Sequence, residues 1–113
     1  MTTIYHNPRC RKSREALQIL EEQNESIEIV KYLENPPSVE ELESILKLLQ
    51  KIPSEIVRTN EALWKENFRD KNLSGKKLIE VLSKNPKLIE RPIVIKNDRA
   101  VIGRPPENIK KIL

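Results

Sequence analysis

Two groups of short β-forming segments lie at opposite ends of the chain with a long helical stretch between them, and few small folds accept that order. Residues 2–6 are β-friendly and stop at Asn7-Pro8, a turn signal. Residues 11–23 place Ala16, Leu17 and Leu20 on one helical stripe, with Ile19 beside it and Asn24 suited to close the helix in the left-handed conformation. Residues 27–32 form a second strand, stopped by Asn35-Pro36-Pro37. The period then changes. Ser38 and Glu41 have the spacing of a capping box, and Leu42, Ile45, Leu46 and Leu49 follow at helical intervals. Further helical pieces are predicted around residues 55–57, 60–68 and 75–82, the last behind a Ser74 cap, with Trp64 and Phe68 paired inside this helical block.

After Arg91-Pro92 the strand signal returns as Ile93-Val94-Ile95, turns at Lys96-Asn97-Asp98 and runs back through Ala100-Val101-Ile102. Pro105-Pro106 then opens a last helix with Ile109, Ile112 and Leu113 on its apolar side. The order is β-α-β, helical insert at about residues 38–89, then β-β-α. That order predicts a single α/β domain over residues 1–113, a thioredoxin-like mixed sheet flanked by helices. In such a fold the X-Pro bond before the third strand is cis and faces the active cysteine, and Arg91-Pro92 occupies that place.

Composition narrows the chemistry. Leu, Ile, Val and Phe make up about 30% of the 113 residues, well above disordered chains, so a core can form. No apolar run reaches the roughly 20 residues of a membrane span, and the start lacks the basic and apolar regions of a leader, so the expected compartment is the cytoplasm. A net charge of +4 is too small to argue for nucleic acid. One cysteine excludes an internal disulfide or two-thiol relay, and one histidine argues against a His-built metal site.

That cysteine, Cys10, follows a strand and a turn and opens a helix, with Arg9, Arg11, Lys12 and Arg14 around it and no acid in the run. Helix N-termini and nearby cations stabilise a thiolate, and the same N–H groups favour an incoming anion. The site therefore reads as a reactive thiolate rather than an inert core cysteine. Ser13 is placed to give its hydroxyl to the sulfur or to an anion oxygen. His6, four residues before Cys10, is either a partner of the thiolate or a strand-end histidine satisfied by backbone. A phosphatase loop needs an arginine six residues after its nucleophile, and Ala16 stands there. What remains is a C-x-x-S monothiol motif whose oxidised form needs an outside thiol.

Five blocks in order, Tyr5-His6-Asn7-Pro8-Arg9-Cys10, Tyr32-Leu33-Glu34-Asn35-Pro36-Pro37, Val57-Arg58-Thr59-Asn60, residues 85–94 and Gly103-Arg104-Pro105-Pro106-Glu107, together resemble the glutaredoxin-dependent arsenate reductase family. The resemblance runs over nearly the whole chain. It implies that Cys10 attacks arsenate, that glutathione is the co-substrate with no bound cofactor or metal, and that glutaredoxin completes reduction to arsenite. It also implies an arginine clamp for the oxyanion at Arg58, Arg91 and Arg104, with Ser13 contributing and His6, Asn7, Arg9 and Pro92 supporting. A rigid bidentate fork suits a tetrahedral oxyanion better than lysine does. The expected protein is a monomer that binds neither nucleic acid nor membrane and serves arsenical resistance. Many members carry small residues where Arg11 and Lys12 stand here. Two alternatives stay open: a glutathione-linked monothiol oxidoreductase of the same fold with another substrate, and an RNA-polymerase-binding redox regulator, whose C-x-x-C switch is absent because Ser13 fills the second position.

Overall fold

The computed structural model describes residues Met1–Leu113. The chain divides into two compact units, Met1–Asn35 with Arg91–Leu113, and Pro36–Glu90. The first contains a four-stranded sheet built from β1 (Thr2–Tyr5), β2 (Ile27–Val30), β3 (Ile93–Lys96) and β4 (Arg99–Ile102), in the order β2-β1-β3-β4. β1 pairs in parallel with β2 and antiparallel with β3, and β3 pairs antiparallel with β4, so the sheet is mixed. Parallel pairing of β1 and β2 requires a crossover, supplied by helix α1 (Arg11–Glu22).

Period-2 alternation decides which side of the sheet is dry. Ile4 and its register partner Val94 point to the same face as Ala16 and Leu20 of α1 and as Ile109 and Ile112 near the C-terminus, and these six form one buried cluster. Leu17, Ile19, Ile27 and Val101 pack against its margin. Asn24 closes α1 with φ 57°, and Asn97 turns the β3–β4 hairpin with φ 56°. Both are left-handed positions of the kind asparagine tolerates.

β2 ends two residues earlier than the apolar pattern predicts. The His6 N–H donates to the Val30 carbonyl, and the chain then leaves the sheet at Asn7-Pro8, so residues beyond Val30 have no strand to pair with. Lys31 instead accepts from the Glu34 and Asn35 N–H groups in a turn that buries Tyr32. The C-terminal element also differs. Pro106–Lys111 is a 3-10 helix and not an α-helix, the form favoured in short pieces, and Leu113 is exposed.

The second unit holds α2 (Val39–Leu49), α3 (Ala62–Asn67) and α4 (Gly75–Lys84), with 3-10 turns at Pro53–Ile56, Arg69–Lys71 and Pro86–Leu88. The capping box at the start of α2 forms: the Glu41 N–H donates to Ser38 Oγ at 3.1 Å, and the Ser38 N–H donates to Glu41 Oε1 at 3.1 Å. Leu42, Ile45 and Leu46 of α2 and Leu78, Ile79 and Leu82 of α4 are buried. Ser74 precedes α4 but makes no side-chain cap, and Gly75 takes φ 55° there. Trp64 and Phe68 do meet, with ring centroids 6.0 Å apart, yet both stay half-exposed, with the Lys71 ammonium 5.8 Å from the Phe68 ring. They are a surface pair, because the six-residue α3 buries nothing. No helix of the chain is long and apolar enough to cross a membrane.

The segments around the two arginine-proline steps are locked by a close approach. Arg91-Pro92 is cis, and so is Arg104-Pro105, which the sequence did not signal. The Gly103 N–H donates to the Pro92 carbonyl at 2.8 Å, and a Cβ at Gly103 would lie 3.0 Å from Pro92 Cγ and 3.3 Å from Ile109. Glycine is required at this position for space, and not for a left-handed conformation. Gly103→Ala is expected to cost about 1–3 kcal/mol through overpacking, read as a lower urea midpoint with an unchanged m-value.

Candidate active site

Cys10 occupies the N-cap of α1 with extended backbone (φ −94°, ψ 121°), so its side chain sits over the first turn. The residue is 8% exposed. Burial alone would raise the thiol pKa. Against it act the Ser13 N–H, which points at the sulfur, then the Arg91 guanidinium by its charge and by a hydrogen bond, then the Lys12 N–H. The net result is a thiol below its ordinary pKa.

The cation that acts on the sulfur is therefore Arg91, more than 80 residues away in sequence, and not the basic run around Cys10. The members of that run have other partners. Arg11 pairs with Glu15 at 3.1 Å and is 84% exposed, and Lys12 reaches the same carboxylate at 3.8 Å. Arg14 Nη1 donates to the Pro8 carbonyl at 2.9 Å and so holds the β1–α1 loop. Arg9 gives its backbone N–H to Asn7 Oδ1 at 3.0 Å, with its side chain exposed.

A buried polar brace lies behind the thiol. Ser13 is fully buried, its Oγ accepts the Asn7 N–H at 3.0 Å, and it lies 2.6 Å from His6 Nδ1. His6 is 5% exposed, and burial first, then the Lys31 and Arg14 charges, lower its pKa. A neutral ring fits the geometry: with Oγ already accepting from Asn7, the one hydroxyl proton of Ser13 is free to donate to Nδ1. The serine thus meets the sulfur through its backbone N–H, while its hydroxyl fastens the loop. Asn7 closes the same loop, its carbonyl accepting the Cys10 N–H at 3.0 Å.

Arg91 and Pro92 are in the same unit as Cys10, and Arg104 leaves that unit's hairpin directly after Gly103, with an exposed side chain. The Arg104 carbonyl accepts from Asn108 Nδ2 at 3.2 Å. Arg58 belongs to the second unit, where its Nη1 lies 3.3 Å from Glu61 Oε1 and its N–H donates to the Leu88 carbonyl. No group of three or more His, Cys, Asp or Glu side chains is arranged to hold a metal ion.

A helix-capping thiol held low by an arginine beside a cis-proline, on a mixed sheet of this topology, defines a thioredoxin-like protein with a single cysteine at the start of its first helix. The chain belongs to the ArsC family, whose model matches residues 5–112. It is 48% identical over 112 residues to the uncharacterized protein YfgD of Escherichia coli (strain K12), covering 97% of this chain and 94% of that one. It is 44% identical over 112 residues to an arsenate reductase of Neisseria meningitidis, covering 97% and 96%. An arsenate reductase structure from Vibrio cholerae superposes with a TM-score of 0.94 at 46% identity, over 99% of this chain and 97% of that one.

Two measurements follow from this geometry. The rate of Cys10 alkylation by iodoacetamide against pH should give an apparent pKa below about 8.5, and Arg91→Met should raise it, whereas Arg11→Met should not. Stability should also fall on the acid side. The folded state disfavours charged His6, so its contribution is complete above the unfolded pKa of about 6.5 and is lost as pH falls below it. His6→Asn should flatten the decline in melting temperature between pH 7 and 5.

Proposed function

We propose that the protein reduces arsenate to arsenite through a Cys10–arsenic adduct, with glutathione and glutaredoxin as the thiol donors. The observation that carries the reading is the Arg91 guanidinium against the Cys10 sulfur, since one cation then serves both a thiolate nucleophile and an anionic substrate. Similarity over nearly the whole chain to proteins named arsenate reductase supports the choice of oxyanion.

The chemistry balances with one protein thiol and two outside ones. The Cys10 thiolate forms a bond to arsenic(V) and water leaves. Glutathione forms a second arsenic–sulfur bond as another water leaves. The glutaredoxin thiolate then attacks the glutathione sulfur, and the electron pair of the breaking bond stays on arsenic, which becomes arsenic(III). A glutaredoxin–glutathione disulfide departs, and hydrolysis of the remaining arsenic–sulfur bond frees arsenite and Cys10. The two electrons come from the two outside thiols, which is why a chain with one cysteine needs them.

In this reading the chain acts as one thioredoxin-like domain and as a monomer, with Arg58, Arg91 and Arg104 as the oxyanion-binding arginines. Ser13, His6, Asn7 and Arg9 shape the loop, and Pro92 holds Arg91. Cys10→Ser should abolish arsenate reduction with the fold intact, because a serine hydroxyl is a far poorer nucleophile at neutral pH. Arg91→Lys and Arg104→Lys should each lower kcat/KM for arsenate by about ten- to a hundredfold, since a point charge cannot replace a bidentate fork. Measuring a neutral disulfide substrate beside arsenate tests the assignment. Equal losses on both substrates would favour a general thiol oxidoreductase, and no loss on either would make the arginines surface residues.

A further inference from the structure

An open cleft of about 280 Å³, just under the usual size of small-molecule pockets, lies between the β1–α1 loop and the turn after β2. One wall is residues 6–9, the four that lead directly into Cys10. The other is the turn after β2, which contributes Lys31, Leu33 and Glu34. Nothing in the oxyanion chemistry uses this turn, and Glu34 is ill suited to an oxyanion because its carboxylate repels one. The wall is also rigid. Asn7 is tied to Ser13, Arg9 to Asn7, and the turn to the Lys31 carbonyl. The rim charges of Arg9, Lys31 and Glu34 stand outside the ion pairs that hold Arg11, Lys12 and Arg58. They remain available to a ligand, beside an apolar Leu33 that is 43% exposed.

We infer that this cleft docks the zwitterionic thiol peptide that reacts at Cys10. Two cations and one anion on its rim match a ligand with two carboxylates and one ammonium, which is the charge pattern of glutathione. Arg9 and Lys31 take the carboxylates, Glu34 takes the ammonium, and Leu33 covers the peptide's methylenes. The ligand's thiol is then delivered past residues 6–9 to the Cys10 sulfur or to a group bound on it. The assignment rests on the thiol-dependent reading given above, and it adds a recognition site for the reductant distinct from the arginine clamp.

The test needs no arsenate. Cys10 of the full chain is first converted to its mixed disulfide with thionitrobenzoate. An added thiolate then forms an S–S bond to Cys10 and expels thionitrobenzoate as a coloured thiolate, so the rate is read directly. Glutathione is compared with 2-mercaptoethanol, an uncharged thiol of no peptide character, and with N-acetylcysteine, which has a carboxylate and no ammonium. Lys31→Glu should lower the glutathione rate by roughly fivefold or more, and Glu34→Gln by roughly two- to threefold, as expected for exposed ion pairs. The 2-mercaptoethanol rate should hold in both, and N-acetylcysteine should respond to Lys31→Glu but not to Glu34→Gln. Unchanged glutathione rates in both variants would overturn the proposal, as would equal slowing of all three thiols, which would mean an altered Cys10. If the wild type fails to turn over arsenate while the thiol selectivity holds, only the choice of oxyanion falls, and the docking cleft stands.

Discussion

The Arg91 guanidinium beside the Cys10 sulfur is the contact on which the site depends, and it exists because two loops are held at fixed separation. On one side the Cys10 backbone is pinned by its N–H to the Asn7 carbonyl and by the start of α1. On the other, Arg91 precedes Pro92, against which Gly103 packs with no room for a side chain. The antiparallel register of β1 and β3, Tyr5 opposite Ile93, carries both loops to the same end of the sheet. Each loop leaves a strand at that point, so sheet pairing sets the position of the guanidinium.

Helix geometry then does what the guanidinium alone does not. A thiol that is 8% exposed resists ionisation, and the first-turn N–H groups of Lys12 and Ser13 offset that burial because they have no intrahelical acceptors. This explains the division of labour at Ser13. Its N–H serves the sulfur, and its hydroxyl, engaged by Asn7 and His6, keeps the loop in the shape that presents the sulfur. His6 neutrality is part of the same design. A charged ring would add a third cation to the two, Lys31 and Arg14, that already lower its pKa.

The surface charges fall into two groups with different physics. Arg11 and Lys12 share the single Glu15 carboxylate on the outside of α1, and such exposed pairs contribute little to stability. Arg9, Lys31 and Glu34 instead line one cleft between residues 6–9 and the turn after β2. A basic run in sequence is thus not a basic field at the sulfur. Helix period sends Arg11 and Lys12 away from it, and Arg14 turns back to a backbone carbonyl.

By itself the sequence determined what depends on local pattern and on residue chemistry. The periods of residues 2–6, 11–23 and 93–102 specified strand, helix and hairpin, Ser38 and Glu41 specified a cap, and the strand-to-helix junction specified that the single cysteine opens α1. Only the tertiary structure decided what depends on neighbours distant in the chain. β2 stops at Val30 because its partner strand stops, the last helix is 3-10, and Ser74 does not cap. It also decided that the cation on the sulfur is Arg91, and that one cleft brings Lys31 and Glu34 of the turn after β2 to face residues 6–9. Electrostatic and steric partners follow distance in space. Sequence adjacency reports that distance only along a strand or a turn of helix, whereas Arg91 reaches the sulfur, and Lys31 reaches residues 6–9, through pairing of the sheet.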